Sequence, residues 1–188
     1  DQMFPGGRTY EPKQGSPVSN FGGGSVGAHN LRYALTKSVN ITFARLGDQL
    51  GQDVLRTTME KFGMFSTPPL DDLPVTERKT SGLYEGNKLL DREAGVDPAR
   101  VAIGQERLLV TPLQMAMVTA TIANDGRQMR PWLVNSIVSP GGRVTYRGTS
   151  QTIRQVISPV AAHQLGSMME DVVREGTGTA AALTGIDV

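Results

Sequence analysis

The sequence predicts an α+β chain that is mainly helical with a short β-hairpin. Two observations carry this. Apolar residues recur at three- and four-residue spacing in several segments, two of which open on a Thr-Pro or Ser-Pro helix start. Pro140-Gly141-Gly142 separates two short extended runs, as a hairpin turn does. The stretch 1–27 holds Pro5-Gly6-Gly7, Pro12, Ser16-Pro17 and Gly22-Gly23-Gly24 without sustained periodicity, so it reads as loops with one short extended piece. Leu31, Ala34 and Leu35 begin a helix, and Phe43, Leu46 and Leu50 set a second register after a break at Ser38-Val39-Asn40. A third helix is expected from about Asp53 to Phe62, with Gly63 as its left-handed cap. Prolines 68, 69 and 74 make residues 66–95 a surface excursion. Thr111 then caps a helix from Pro112 to Ala123 that Asn124-Asp125-Gly126 ends, with Gln114 three residues after the cap completing a capping box. Trp132–Val138 and Arg143–Arg147 form the hairpin, Ser158-Pro159 starts a last helix that stops at Gly176, and residues 185–188 are expected to begin a strand.

The chain has 188 residues, the size of one domain or of an incomplete larger one. Nineteen basic and 18 acidic side chains leave a net charge of +1 with no long single-sign run, which argues against nucleic acid as a partner. Without cysteine there is no disulfide, thiolate catalysis or sulfur-ligated zinc. His29 and His163 lie far apart with no second ligand at metal spacing, so each is expected at the surface or half-buried on a helix, and neither a metal nor a cofactor is expected. A histidine-based serine hydrolase is set aside: Gly23-Gly24-Ser25-Val26-Gly27 matches Gly-x-Ser-x-Gly by letter only, with no buried strand leading into it as a nucleophile elbow requires. Gly22–Gly27 satisfies the letter of Gly-x-Gly-x-x-Gly, but no buried strand precedes it and no acidic residue follows at a strand end, so a flexible entry loop is the reading.

Ser38-Val39-Asn40 taken alone is explained by helix capping, with Asn40 accepting from a first-turn amide. Its neighbours add to it. Leu31–Gly47 around this triplet resembles the helix, Ser-x-Asn turn and helix of the transpeptidase domain of penicillin-binding proteins, most closely the monofunctional class B type. Ala102-Ile103-Gly104-Gln105 with Val110–Ala116, Ile122–Gly126 and Arg130-Pro131 resembles a second signature of that family. Glu175-Gly176-Thr177-Gly178-Thr179-Ala180 is similar to the loop before its Lys-Thr-Gly strand. Three blocks in family order are far more specific than one triplet.

The resemblance implies a β-lactamase/transpeptidase-like fold, helices packed on an antiparallel sheet largely outside these 188 residues. It divides the chain into a loop-rich entry at 1–30, a helical part with Ser-x-Asn at 31–126, and a hairpin and helix at 127–188. It also implies a D,D-transpeptidase that cross-links peptidoglycan through a serine acyl-enzyme and binds β-lactams. Ser38 would relay a proton toward the leaving amine, and Asn40 would hold substrate backbone and the catalytic lysine. Val39 departs from the Asp of many relatives; its side chain is expected to face away from the chemistry. The expected partners are peptidoglycan stem peptides, β-lactams, the remainder of the same domain, and glycosyltransferase, divisome or elongasome proteins. The expected place is the extracytoplasmic face of the cell membrane.

The pattern is incomplete. None of Lys13, Lys37, Lys61, Lys79 and Lys88 has a serine three residues before it, and Lys79-Thr80 is followed by Ser81. The nucleophile serine, its base lysine and Lys-Thr-Gly are therefore expected outside this chain, which alone should be inactive. A sensor or serine β-lactamase of the same fold, or a silent scaffold of wall synthesis, are the alternatives.

Overall fold

The computed structural model describes residues 2–185. It is a mixed α+β structure whose strands are short and scattered among five small sheets. The chain forms two compact units: residues 1–58, 84–108 and 164–188 make the first, and 59–83 with 109–163 the second. The strand expected at residues 185–188 lies largely outside the described residues.

In the first unit, the entry stretch is more structured than its composition suggests. β1 (Met3–Phe4) pairs antiparallel with β4 (His29–Asn30), and β2 (Thr9–Tyr10) with β3 (Val18–Ser19). Two-residue strands carry too little alternation to be read from sequence. α1 (Leu31–Thr36) starts where the Asn30 side chain accepts from the Tyr33 amide at 2.9 Å. α2 (Asn40–Lys61) joins the second and third expected helices, and Gly51 at φ 76°, ψ 166° kinks it where the two registers change. One face of α2 buries Ile41, Thr42, Ala44, Gly47 and Asp48. β5 (Gly82–Glu85) pairs with β6 (Lys88–Leu89), Tyr84 opposite Leu89. α3 (Pro98–Val101) is capped by Asp97, which accepts from the Ala99 and Arg100 amides, and β7 (Leu108–Leu109) completes a sheet ordered β6-β5-β7.

Buried polar groups tie the entry stretch to α2. Asp48 is 4% exposed, and its Oδ2 accepts from Tyr10 Oη at 2.9 Å and the Lys13 amide at 2.8 Å. His29 is not the surface or half-buried helix residue expected. It lies buried in β4, with Nδ1 2.7 Å from the Gly27 carbonyl and Nε2 2.7 Å from Thr42 Oγ1. A carbonyl only accepts, so Nδ1 carries the proton in that contact.

In the second unit, α4 (Pro112–Ala123) has the expected bounds, and Thr111 Oγ1 accepts from the Gln114 amide at 3.1 Å. Only half of the capping box forms. The Gln114 side chain is fully buried and donates to the Phe62 carbonyl at 2.8 Å, while the Thr111 amide donates to Ser81 Oγ at 2.9 Å. Gly63 at φ +91° ends the preceding helix as expected, donating to Glu60 O while Met64 donates to Met59 O, a Schellman cap. β8 (Arg127–Met129) pairs with β11 (Thr152–Gln155), and the expected hairpin appears as β9 (Ser136–Val138) with β10 (Val144–Arg147). His163 Nε2 is 2.8 Å from Asp125 Oδ1, both exposed. α5 (Pro159–Glu175) starts at Ser158, whose Oγ accepts from the Ala161 amide, and carries the chain back into the first unit.

Candidate active site

The Ser-x-Asn triplet is built by how α1 ends. Ser38 N donates to Leu35 O at 3.2 Å and Val39 N to Ala34 O at 2.8 Å, the paired bonds of a Schellman motif. That motif needs one residue in the left-handed region, usually glycine. Here it is Ser38, at φ 54°. A side chain there costs about 1–2 kcal/mol, and the surrounding bonds hold it in place. The motif also wants an apolar contact between its last residue and the helix end. Val39 supplies it, 2% exposed in a cluster with Ala34 and Ile41. Its side chain points into the core, away from the exposed Ser38, as expected of the residue that departs from Asp. Burial of this valine contributes about 2 kcal/mol.

Asn40 does not cap α2 as local reading suggested. It is the first residue of that helix, and its Nδ2 donates to Ser19 O at 3.1 Å. The cap comes from another asparagine: the Ile41 amide donates to Asn20 Oδ1 at 3.3 Å. Among the described residues the Asn40 Oδ1 and the Ser38 hydroxyl have no hydrogen-bond partner. A hydroxyl that can pass a proton and an amide with a spare acceptor thus sit two residues apart on one turn.

On the other side of the turn lies the Gly-Thr-Gly loop. Thr177 N donates to Thr36 O at 3.2 Å, and Lys37 Nζ donates to Glu175 O at 2.5 Å. Gly176 is required there, because a Cβ would collide with the Thr36 carbonyl. Below this, Arg32 pairs with the buried carboxylate of Asp171 and donates to Ser167 Oγ at 3.2 Å, fixing α1 along α5. Two sequence blocks, the one holding the Ser-x-Asn turn and the loop at 175–178, are therefore in direct hydrogen-bond contact across 138 residues from Lys37 to Glu175. The third block divides: residues 102–105 belong to the first unit, and Thr111–Ala123 with Arg130-Pro131 to the second.

The penicillin binding protein transpeptidase domain model matches residues 7–188. The chain belongs to that family. The peptidoglycan D,D-transpeptidase PbpA of Mycolicibacterium smegmatis is 33% identical over 190 residues, covering 100% of this chain and 37% of that protein. PbpA of Mycobacterium tuberculosis is 32% identical over 161 residues, covering 84% of this chain and 31% of its own length. The chain thus spans about a third of these curated relatives. Among solved structures, the D,D-transpeptidase domain of a peptidoglycan glycosyltransferase from Eggerthella lenta superposes with a TM-score of 0.80 at 29% identity, covering 100% of this chain and 46% of that one. The penicillin G acyl-enzyme complex of penicillin-binding protein A from M. tuberculosis gives 0.79 at 28% identity, covering 99% and 40%. These relatives place the chain in the β-lactamase/transpeptidase-like fold.

The family pattern singles out Ser38 and Asn40 and does not mark Ser19, Asn20 or Lys37, whose hydrogen bonds reach this turn and its flanks. Their contacts to the turn bridge many residues, and nothing local in the sequence marks them.

Proposed function

We propose that this chain is the Ser-x-Asn-bearing part of a peptidoglycan D,D-transpeptidase that works through a serine acyl-enzyme. The observation that carries this reading is the Ser38-Val39-Asn40 turn whose preceding residues, Thr36 and Lys37, are hydrogen-bonded to the 175–178 loop, within a chain that matches the family from residue 7 to 188. The nucleophile serine, its base lysine and Lys-Thr-Gly come from the rest of the parent protein. That serine attacks the carbonyl of a terminal D-Ala-D-Ala; the peptide C–N bond breaks, and the departing D-alanine amine takes a proton that Ser38 relays. An amine of a neighbouring stem then attacks the ester, regenerates the serine and forms the cross-link. Asn40 Oδ1 accepts from the substrate backbone or the lysine, and its Nδ2 stays tethered to Ser19 O. A β-lactam is taken as a stand-in for the D-Ala-D-Ala amide.

The parent would act on stem peptides at the extracytoplasmic face, beside glycosyltransferase and division or elongation proteins. No helix among the described residues is long and apolar enough to cross a membrane. Fluorescent penicillin tests the proposal on two samples. The intact parent should be labelled stoichiometrically and the 188-residue chain should not. Labelling of the isolated chain, or none of the parent, overturns it.

A further inference from the structure

We propose that Asn20 is a positioning residue for Asn40, acting through the loop whose Ser19 carbonyl holds the Asn40 amide. This rests on the transpeptidase reading above. Asn20 is 9% exposed, and all four of its polar groups are used. Its backbone amide donates to Arg8 O at 3.2 Å, and its carbonyl accepts from Gly23 N at 2.9 Å. Its Nδ2 donates to Gly7 O at 3.2 Å and Gly24 O at 3.1 Å, and its Oδ1 accepts from the Ile41 amide at 3.3 Å.

One side chain therefore joins Gly7, which bridges to Val26, the far side of the glycine turn at Gly24 and the first turn of α2. Only a carboxamide has two donors and an acceptor in this arrangement. The residue before it, Ser19, points its carbonyl at Asn40 Nδ2. The residue after Asn40, Ile41, gives its amide to Asn20. Asn20 and Asn40 are thus cross-braced: each side chain binds the backbone next to the other. The glycine-rich stretch 22–24 is consequently not a free loop at its base, although Phe21 beside Asn20 is 95% exposed. A brace of this kind fixes the rotamer of Asn40 before any ligand arrives, which is what a group that must meet a reacting bond requires.

The test uses the intact parent with a chromogenic β-lactam, counting acylated sites and measuring the rate per site. Asn20→Ala should lower the per-site acylation constant by about ten- to a hundredfold while the acylated fraction of soluble protein stays high. Combined with Asn40→Ala it should cost little beyond Asn40→Ala alone, because the brace has nothing left to position. Asn20→Asp keeps the acceptor for Ile41 and loses both donors; it serves if the alanine variant does not fold, and should slow acylation about tenfold. An unchanged per-site rate in the folded variant overturns the inference. So does a loss that multiplies in full with that of Asn40→Ala, or a fall only in the number of acylated sites. No acylation of the unaltered parent would instead sink the transpeptidase reading itself.

Discussion

Lys37 donates its ammonium to the backbone carbonyl of Glu175 at 2.5 Å. Glu175 is the last residue of α5, so this carbonyl is one of those a helix leaves without an internal partner. A cation at a helix C-terminus is also favoured by the helix dipole. The residue immediately before Ser38 thus caps the helix leading into the Gly-Thr-Gly loop, beside the Thr177–Thr36 backbone bond that also joins the two segments.

That cap can be tested by Lys37→Met, which keeps the apolar stem and removes the donor. It should cost about 1 kcal/mol of stability in the intact parent, and slow β-lactam acylation several-fold as the loop loses its seat. Lys37→Arg should recover most of both. Thermal unfolding with acylation kinetics on the three proteins checks this; a methionine variant that matches the parent in both would remove the capping role.

Ser38 separates stability from chemistry. Its side chain is exposed and unpartnered among the described residues, so Ser38→Ala should change stability by no more than about 0.5 kcal/mol. Ser38→Gly should raise it slightly, because relief of a left-handed side chain, about 1–2 kcal/mol, exceeds glycine's added chain entropy of about 0.5–1 kcal/mol. Both substitutions delete the proposed proton relay and should slow acylation or transpeptidation by about 10²–10⁴-fold. A glycine variant that is less stable than the parent would show that φ 54° carries no strain here, and an alanine variant of normal rate would end the relay role.

What the sequence made legible is what local chemistry decides. Thr111 and Ser158 are caps wherever a helix follows them, and both appear as expected. The helix register ending at Leu50 and the helix expected from about Asp53 are both present, and Gly51 between them breaks the helical φ and ψ of α2. The Ser-x-Asn block was recognisable from its order among other blocks. Its conformation was not, because a serine in glycine's position of a Schellman motif is held by tertiary contacts. Asn40 is not the cap that local reading expects for the same reason: a competitor 20 residues upstream, Asn20, takes the amide. His29 read as a surface residue because β4 is two residues long and its partners, Gly27 and Thr42, flank it at spacings no periodicity reveals.

The Tyr10–Asp48 contact should make stability depend on alkaline pH. Burial, then the hydrogen bond to Asp48 and its negative charge, raises the Tyr10 phenol above its ordinary value of 10.0, with Arg45 over the ring opposing. For a group whose folded value is raised, the stabilisation is fully present below the unfolded pKa and is lost as pH climbs through the folded one. The parent should therefore exceed Tyr10→Phe in stability at pH 8 by about 1 kcal/mol, and the gap should close above pH 10. Denaturant unfolding of both proteins from pH 8 to 11 measures it; a gap that is constant across that range would contradict the assignment.

Gln114 and Gln128 give a prediction about coupling. Both are fully buried, and both donate Nε2 to the same acceptor, Phe62 O, at 2.8 and 2.9 Å. That carbonyl lies at the end of α2, where no helical amide reaches it. While either glutamine remains, the carbonyl keeps a partner, so a single replacement by methionine removes one of two bonds. Gln114→Met has a further offset, because Gln114 Oε1 is buried with no partner and its removal ends that penalty. Each single variant should cost about 1 kcal/mol or less, and Gln114→Met the smaller amount. The double variant leaves the carbonyl of half-buried Phe62 without either partner and should cost about 1 kcal/mol beyond the sum of the singles. Unfolding free energies of the four proteins close the cycle. Strict additivity would mean that the two amides do not share the load at Phe62, and that water replaces either one without cost.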